Sequence, residues 1–304
     1  MIGGLIVTKN ESGLLRLNLD HHLAWGFDFV AVADNDSTDA TPEVAASYGS
    51  RVITRRFSDF HLRQTARLEL LRDLVEASNG AIEWAAVYDT DEFFWAPDVD
   101  LADLLGRVPD DIVAVNFDAK LFLPTALDEP GHDVIGTRAY RSGGADSPLH
   151  SSYDAGKTFY RVSWLLTLPL DHWCPRHEHL CNDVPHARFR PPEALVHHYM
   201  VQDEDQFVDK VVRLVEWARP PDGVLARALF RMTPKQRRSL PKWSAQWKKD
   251  WWAAYQRGGV EGVRDYYREV YVIPEASVHE FVAAGTLAHD DAFARHHRAR
   301  IANG

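Results

Sequence analysis

The chain has 304 residues, 45% apolar and 26% charged, the balance of a soluble globular protein with one large domain or two smaller ones. Lys plus Arg number 34 against 44 Asp plus Glu, and the net charge of −10 excludes a broad phosphate-neutralising surface and with it general nucleic-acid binding. No run approaches the roughly 20 apolar residues of a membrane span. Two cysteines, Cys174 and Cys181, make no disulfide framework, and Met1-Ile2-Gly3-Gly4 leads straight into Leu5-Ile6-Val7 without a basic leader, so the expected setting is the cytoplasm.

Residues 4–8 read as a buried strand. Ser12 then caps an amphipathic helix carrying Leu14, Leu15, Leu19 and Leu23 and ending near Gly26. A second apolar run, 27–33, stops at Asp34-Asn35-Asp36-Ser37-Thr38-Asp39. A short helix over 41–48 follows, with Pro42 in its first turn and Gly49 after its end. Residues 51–54 form a third strand, 61–77 a longer helix, and 84–88 a fourth strand ending at Asp89-Thr90-Asp91. A short helix around 101–105 precedes a strand over 112–117. Residues 120–190 are irregular, with weak strand signals only. A helix is predicted over 204–219; Pro220-Pro221 marks a boundary before a final helical segment. Alternating strands and helices with nearly continuous apolar strands imply an α/β protein whose parallel sheet is covered on both faces. Ligands bind such sheets beyond the carboxyl ends of the strands, so the polar clusters at 8–11, 34–39 and 89–92 belong to one rim.

Asp89-Thr90-Asp91 is the most informative of these clusters. In an extended segment residues i and i+2 face the same way, so both carboxylates can address one ligand. Neighbouring carboxylates repel unless a cation lies between them, and oxygen donors suit Mg²⁺ or Mn²⁺ that bridge to phosphates. A solvated turn is the plainer reading of a D-x-D taken alone; its place after a buried strand favours the ligand.

Thr8-Lys9-Asn10-Glu11 after strand one, Asp34-Asn35-Asp36-Ser37-Thr38-Asp39-Ala40-Thr41 after strand two, and Tyr88-Asp89-Thr90-Asp91-Glu92-Phe93 at the end of strand four occur in the order and spacing of glycosyltransferase family 2-like proteins, which the chain resembles. Its later part, where His197-His198-Tyr199 precedes Gln206-Phe207 and Lys210, is similar to glycosyltransferase family 92. The resemblance covers residues 1–215. It implies a GT-A fold, a Rossmann-like mostly parallel sheet with helices on both faces, as a catalytic domain over 1–215, with 216–304 a helical C-terminal extension. It further implies a nucleotide-sugar donor, UDP-linked, a Mn²⁺ or Mg²⁺ cofactor, and transfer of a hexosyl or N-acetylhexosaminyl group to an acceptor nucleophile with inversion.

Carried onto this sequence, the resemblance puts Thr8 and Glu11, with Asn10 between them, in the nucleoside pocket. Asp34 contacts the uracil, with Asn35 and Asp36 beside it. Asp89, followed by Thr90, reaches the ribose or the metal's water shell; Asp91 binds the metal, and His198 completes its shell while His197 points elsewhere. A satisfied buried histidine remains the alternative for His198. One departure is Asp36, where the family often has Gly, which implies a differently shaped turn. Asp39 reads as a turn or helix-cap residue.

An inverting transfer needs a carboxylate near the acceptor. In this fold that base follows the metal motif in the irregular segment, where Glu178 in His177-Glu178-His179 fits, with Asp171 and Asp183 as rivals. Arg63 and Arg67, one turn apart, are within reach of a pyrophosphate, although an i, i+4 basic pair is also ordinary on a solvated helix face. Lys157 lacks the Gly-x₄ context of a phosphate loop and reads as a surface lysine. Among 15 histidines no spacing closes a zinc site with the two cysteines. Residues 231–249 hold seven basic and no acidic side chains, with Trp243, Trp247 and Trp251 on one helical face; such a stripe docks on the protein's own core or a partner subunit, or lies peripherally on a membrane. Two rival functions remain, a nucleotidyltransferase on the same fold and a nucleotide-sugar-binding protein without turnover. The first is disfavoured because residues 8–13 are neither Gly-rich nor basic.

Overall fold

A computed structural model describes residues 1–57, 63–128, 133–143, 156–169, 186–218 and 246–303. Strands β1 (Ile2–Thr8), β2 (Phe29–Asp34), β3 (Val52–Arg56) and β4 (Trp84–Tyr88) pair in parallel in the order β3-β2-β1-β4. Their side chains alternate between two cores, as a period of two requires. Ile6, Val30 and Val32 meet Leu15, Leu19 and Leu23 of helix α1 (Ser12–Trp25) on one face. On the other, Leu5, Ala31 and Ala33 meet Leu70, Leu71 and Leu74 of α3 (Arg63–Ala77), whereas helix α2 (Thr41–Ala46) adds Val44 and Ala45 to the α1 face. Burial on both faces is why these strands read as nearly unbroken apolar runs.

Beyond β4 the sheet turns mixed. Strand β8 (Lys157–Arg161) lies antiparallel between β4 and β6 (Ala114–Leu121); β10 (Leu195–His198) runs parallel to β6 and antiparallel to β5 (Glu92–Trp95). The two-residue β9 (Arg188–Phe189) pairs with β6. The α/β class and mostly parallel sheet expected from sequence are therefore present. The segment 120–190, expected to be irregular, supplies β7 (Tyr140–Ser142), β8 and β9 within its described residues, and β6 itself runs four residues past the expected end. These strands escape a pattern search because they are short and draw their partners from distant parts of the chain.

Helix α1 ends as anticipated, with Gly26 at φ 119°, a conformation glycine adopts without penalty. Its start differs. Ser12 makes no side-chain cap; instead the loop after β2 reaches across, so that Ser12 N–H donates to Asp39 Oδ2 (3.0 Å) and Glu11 N–H donates to Thr41 Oγ1 (3.0 Å). Asp39 also accepts from Thr41 N–H and Oγ1–H at the entry to α2. Burial works against its charge, but the Thr41 and Ser12 donors outweigh burial and hold the carboxyl below its ordinary value.

Short helices α4 (Leu101–Gly106), α5 (Val134–Thr137) and α6 (Val162–Leu165) fill the middle of the chain. Helix α7 (Glu204–Ala218) follows β10. The C-terminal part forms α8 (Gln246–Tyr266), broken at Gly258 and Gly259, then α9 (Glu275–Ala283), β11 (Leu287–His289) antiparallel to β7, and α10 (Ala292–Asn303). Trp251 is buried against Phe207 of α7, so this member of the Trp stripe docks on the protein itself. Trp243 and the side chain of Trp247 lie outside the described residues. No helix among the described residues is long and apolar enough to cross a membrane.

Candidate metal and donor site

The loops after β1 and β2 interlock at the rim of the sheet. Asn35 N–H donates to Thr8 O (2.8 Å), Asn10 N–H to Ser37 Oγ (2.9 Å), and Thr38 N–H to Asn10 Oδ1 (2.8 Å). Asn10 and Asp36 both have positive φ, 53° and 59°, in the left-handed region that Asn and Asp tolerate best after glycine. Asp36 thus occupies a backbone conformation natural to glycine, and its carboxylate pairs with Arg56. Asp34 is buried, and its Oδ1 accepts from Ser37 N–H at 3.1 Å. Thr8 Oγ1 donates to Glu11 Oε2 at 3.0 Å. These loops bring Thr8, Asn10, Glu11, Asp34, Asn35 and Asp36 to one rim. The Arg63 side chain lies outside the described residues, whereas Arg67, read as belonging to a solvated face, is buried.

The D-x-D segment is not extended. Strand β4 stops at Tyr88, and residues 89–91 form a turn in which Glu92 N–H donates to Asp89 O (3.1 Å) and Asp89 N–H donates to Glu92 Oε2 (2.8 Å). The two aspartates therefore part company. Asp89 is partly exposed, with Oδ2 3.8 Å from Lys157 Nζ; Asp91 is buried, with Oδ2 3.1 Å from Lys210 Nζ and Oδ1 3.5 Å from His198 Nε2. Glu92 opens β5 with its side chain buried and its Oε1 2.9 Å from Lys157 Nζ. The β10–β5 register sets His198 directly opposite Glu92, and Tyr199 N–H donates to Asp91 O (2.9 Å), which joins the late strand to the turn.

Asp91, Glu92 and His198 are all buried, each with one ligand atom within 4.8 Å of the others; they form the group among the described residues that could hold a metal ion. Their chemistry suits a divalent cation: two carboxylates and an imidazole match Mn²⁺ and, less well, Mg²⁺. Asp91 Oδ1 is buried and accepts no hydrogen bond among the described residues, so a lone pair is left toward His198. Four acidic side chains, Glu11, Asp89, Asp91 and Glu92, gather here with the ammonium groups of Lys157 and Lys210 and the Arg213 guanidinium, so the acids outnumber the fixed cations. The residues present fit such an ion.

The charges tune one another. Burial pushes Asp91 upward, but Lys210 and then His198 overcome it, so its carboxyl sits well below the ordinary range. Burial lowers His198, while Asp91 and Glu92 more than offset that and raise it. Glu92 is raised, first by burial, against the pull of Lys157, and Glu11 is raised by burial and then by the Asp91 charge. Lys210 is raised because Asp91 and Glu11 outweigh its burial.

A further device holds the turn. Asn18, fully buried on α1, donates from Nδ2 to Thr90 O (3.0 Å) and to Glu92 O (2.9 Å), gripping the chain on both sides of Asp91. Phe94 N–H donates to His22 Nε2 (3.0 Å), so the His22 proton resides on Nδ1 and is given to Asn18 Oδ1 (2.9 Å). His197, on the opposite side of β10 from His198, enters an aromatic cluster of Trp95, Phe122 and Phe293. Burial pushes its pKa down to about 3, so it is neutral.

Several members of this site were not singled out from the sequence. Glu92 was read only as part of a motif, and Asn18 and His22 only as helix residues. Lys157, read as a surface lysine, is buried in an ion pair with Glu92. Its position depends on Gly156, whose φ of 83° and close approach to the Phe117 carbonyl leave no room for a Cβ. Glu178, Asp171 and Asp183 lie outside the described residues.

No family model and no curated protein matches the chain. Among solved structures it is similar to TarS of S. aureus, at 14% identity and TM-score 0.39, over 86% of this chain and 49% of that one; it spans about half the length of that chain. It is also similar to TarS 1-349 in complex with UDP (11% identity, TM-score 0.41) and with UDP-GlcNAc (13%, 0.42), each over 88% of this chain and 91% of that one.

Proposed function

We propose that this protein is a metal-dependent glycosyltransferase that moves a sugar from a UDP-linked donor to an acceptor nucleophile with inversion. The observation that carries the reading is the buried donor set Asp91, Glu92 and His198, flanked by Lys157 and Lys210, at the rim where the family-like motifs converge. Asp91, Glu92 and His198 would hold Mn²⁺ or Mg²⁺, which supplies charge neutralisation to the leaving nucleoside diphosphate. Lys157 and Lys210 add fixed positive charge beside the same position. Thr8, Asn10, Glu11, Asp34, Asn35 and Asp36 would form the nucleoside side of the pocket, with Asp89 and Thr90 toward the ribose, Arg63 toward the diphosphate, and Glu178 as the base that takes the acceptor proton. Incubation of the purified protein and Mn²⁺ with UDP-glucose, UDP-GlcNAc and GDP-mannose tests the reading. Release of UDP is expected; binding without any release would mark a binding protein instead.

Two results follow from the assignments. A carboxylate at Asp34 that accepts the uracil N3–H is left unpaired by a base presenting other groups, at about 1–3 kcal/mol. UDP is therefore expected to bind roughly tenfold or more tighter than GDP in calorimetry; equal or tighter GDP binding rejects the uridine assignment. For the metal, His198→Ala should depress Mn²⁺-supported turnover more than Mg²⁺-supported turnover, because imidazole is the softer ligand. His197→Phe, a filling of the aromatic cluster, should leave the Mn²⁺ titration as it was. Identical metal titrations for wild type and His198→Ala would make the histidine structural.

A further inference from the structure

We infer that Lys210 is a built-in competitor for the divalent cation at Asp91, so that the site takes up its metal strongly only together with a nucleoside diphosphate. The inference rests on the glycosyltransferase reading above and concerns the order in which its ligands are accepted.

Lys210 Nζ lies 3.1 Å from Asp91 Oδ2 and donates to Met200 O at 2.8 Å. The second acceptor is rigidly placed. Arg138 is buried, donates to Val201 O and Gln202 O (2.8 Å for the latter), and is itself held by Asp128 at 3.1 Å. Gln202 N–H donates in turn to Gln206 Oε1 on α7 (2.7 Å). The loop from β10 to α7 is thereby fixed, and with it the Met200 carbonyl that holds the ammonium group over Asp91.

A cation ligated by Asp91 sits about 2.1 Å from its oxygens. That brings two positive charges to within a few ångströms of the Lys210 ammonium, in a pocket partly shielded from water, where like charges repel strongly. The ammonium and the ion therefore weaken each other's hold on one carboxylate. A diphosphate changes the balance, because its negative oxygens can accept from Lys210 and ligate the metal at once. Lys157 makes the corresponding contact with Glu92 at 2.9 Å, with Asp89 beyond it at 3.8 Å, but its side chain is only 3% exposed, so it has less room than Lys210 to leave its carboxylate for an incoming ligand. Lys210 is also only partly buried, at 26% side-chain exposure, so it has room to turn toward an incoming ligand.

The test is a Mn²⁺ titration of the full chain, followed by calorimetry or by the loss of the free-ion paramagnetic signal, with and without UDP. Lys210→Met keeps the stem and removes the charge. It should bind Mn²⁺ at least tenfold tighter than wild type without nucleotide, bind UDP more weakly at saturating Mn²⁺, and lose most of the mutual enhancement between the two. Lys210→Arg should behave as wild type. If the Met variant does not fold, Lys210→Gln, which retains an N–H donor for Met200 O, is read in the same way. Unchanged or weaker Mn²⁺ binding in the neutral variants overturns the proposal. Asp91→Asn separates the two levels. If it abolishes Mn²⁺ binding while Lys210→Met leaves the affinity as in wild type, only the role of Lys210 fails. If Asp91→Asn binds Mn²⁺ as wild type does, the metal site itself is wrong and both readings fall.

Discussion

Asp91→Asn should reduce donor turnover by about 10²–10³-fold or more, the scale of removing one electrostatic contact from a transfer site, and EDTA should do the same to wild type. Asparagine is the informative replacement because it preserves volume. Alanine would also leave Lys210 and His198 facing an empty place in a buried setting. Deleting one partner of a buried pair costs roughly 3–5 kcal/mol, so lost activity in Asp91→Ala could not be separated from lost folding. With Asn the Lys210 ammonium still meets an amide oxygen and Met200 O, and the fold is expected to survive. The measurement is UDP release by each variant, alongside thermal unfolding to establish that the protein is intact. Wild-type-like turnover in folded Asp91→Asn, or full activity in EDTA, removes Asp91 and the metal from the mechanism.

The second large effect is expected at Asn18, which touches no carboxylate of the site. Asn18→Ala removes the Nδ2 donor that the carbonyls of Thr90 and Glu92 share, and leaves His22 Nδ1–H with only the Asn18 backbone carbonyl at 3.0 Å. Each buried polar group left unsatisfied costs about 1–3 kcal/mol, and because neighbouring costs do not add fully, about 2–4 kcal/mol of stability should be lost. Asn18→Asp should fare at least as badly: an ionised oxygen in place of the NH₂ group would face two carbonyl oxygens. The separate signature is metal affinity at temperatures where the variant remains folded. Mn²⁺ binding should weaken even there, because the turn that presents Asp91 is no longer gripped on both sides. Variants that lose stability but retain wild-type Mn²⁺ affinity would make Asn18 a core residue and nothing more.

The legible part of this protein is its local part. The first four strands and the helices between them follow from apolar periodicity over five to fifteen residues, with Gly26 and Pro42 marking helix ends as their backbone preferences dictate. The motif segments at residues 8–11, 34–39 and 89–92 do gather at one rim, because strands that run parallel must end on the same side. Extrapolation failed where a side chain's direction depends on the next bond in the chain. Asp89 and Asp91 were expected to share a face, yet the chain turns immediately after Tyr88, and one carboxylate goes to Lys157 and the other to Lys210 and His198.

Sequence alone therefore determined the α/β class, the run of parallel strands and which polar segments follow them, since those depend on neighbours within a few residues. The tertiary structure decided the company each group keeps. Lys157 is buried because β8 inserts antiparallel between β4 and β6; His198 meets Glu92 because β10 pairs with β5; and Lys210 reaches Asp91, 119 positions earlier, because α7 is fastened to the end of β10. No periodicity records such pairings. They are set by strand order and register, which minimise the buried polar groups left without partners over the whole sheet rather than within any one segment.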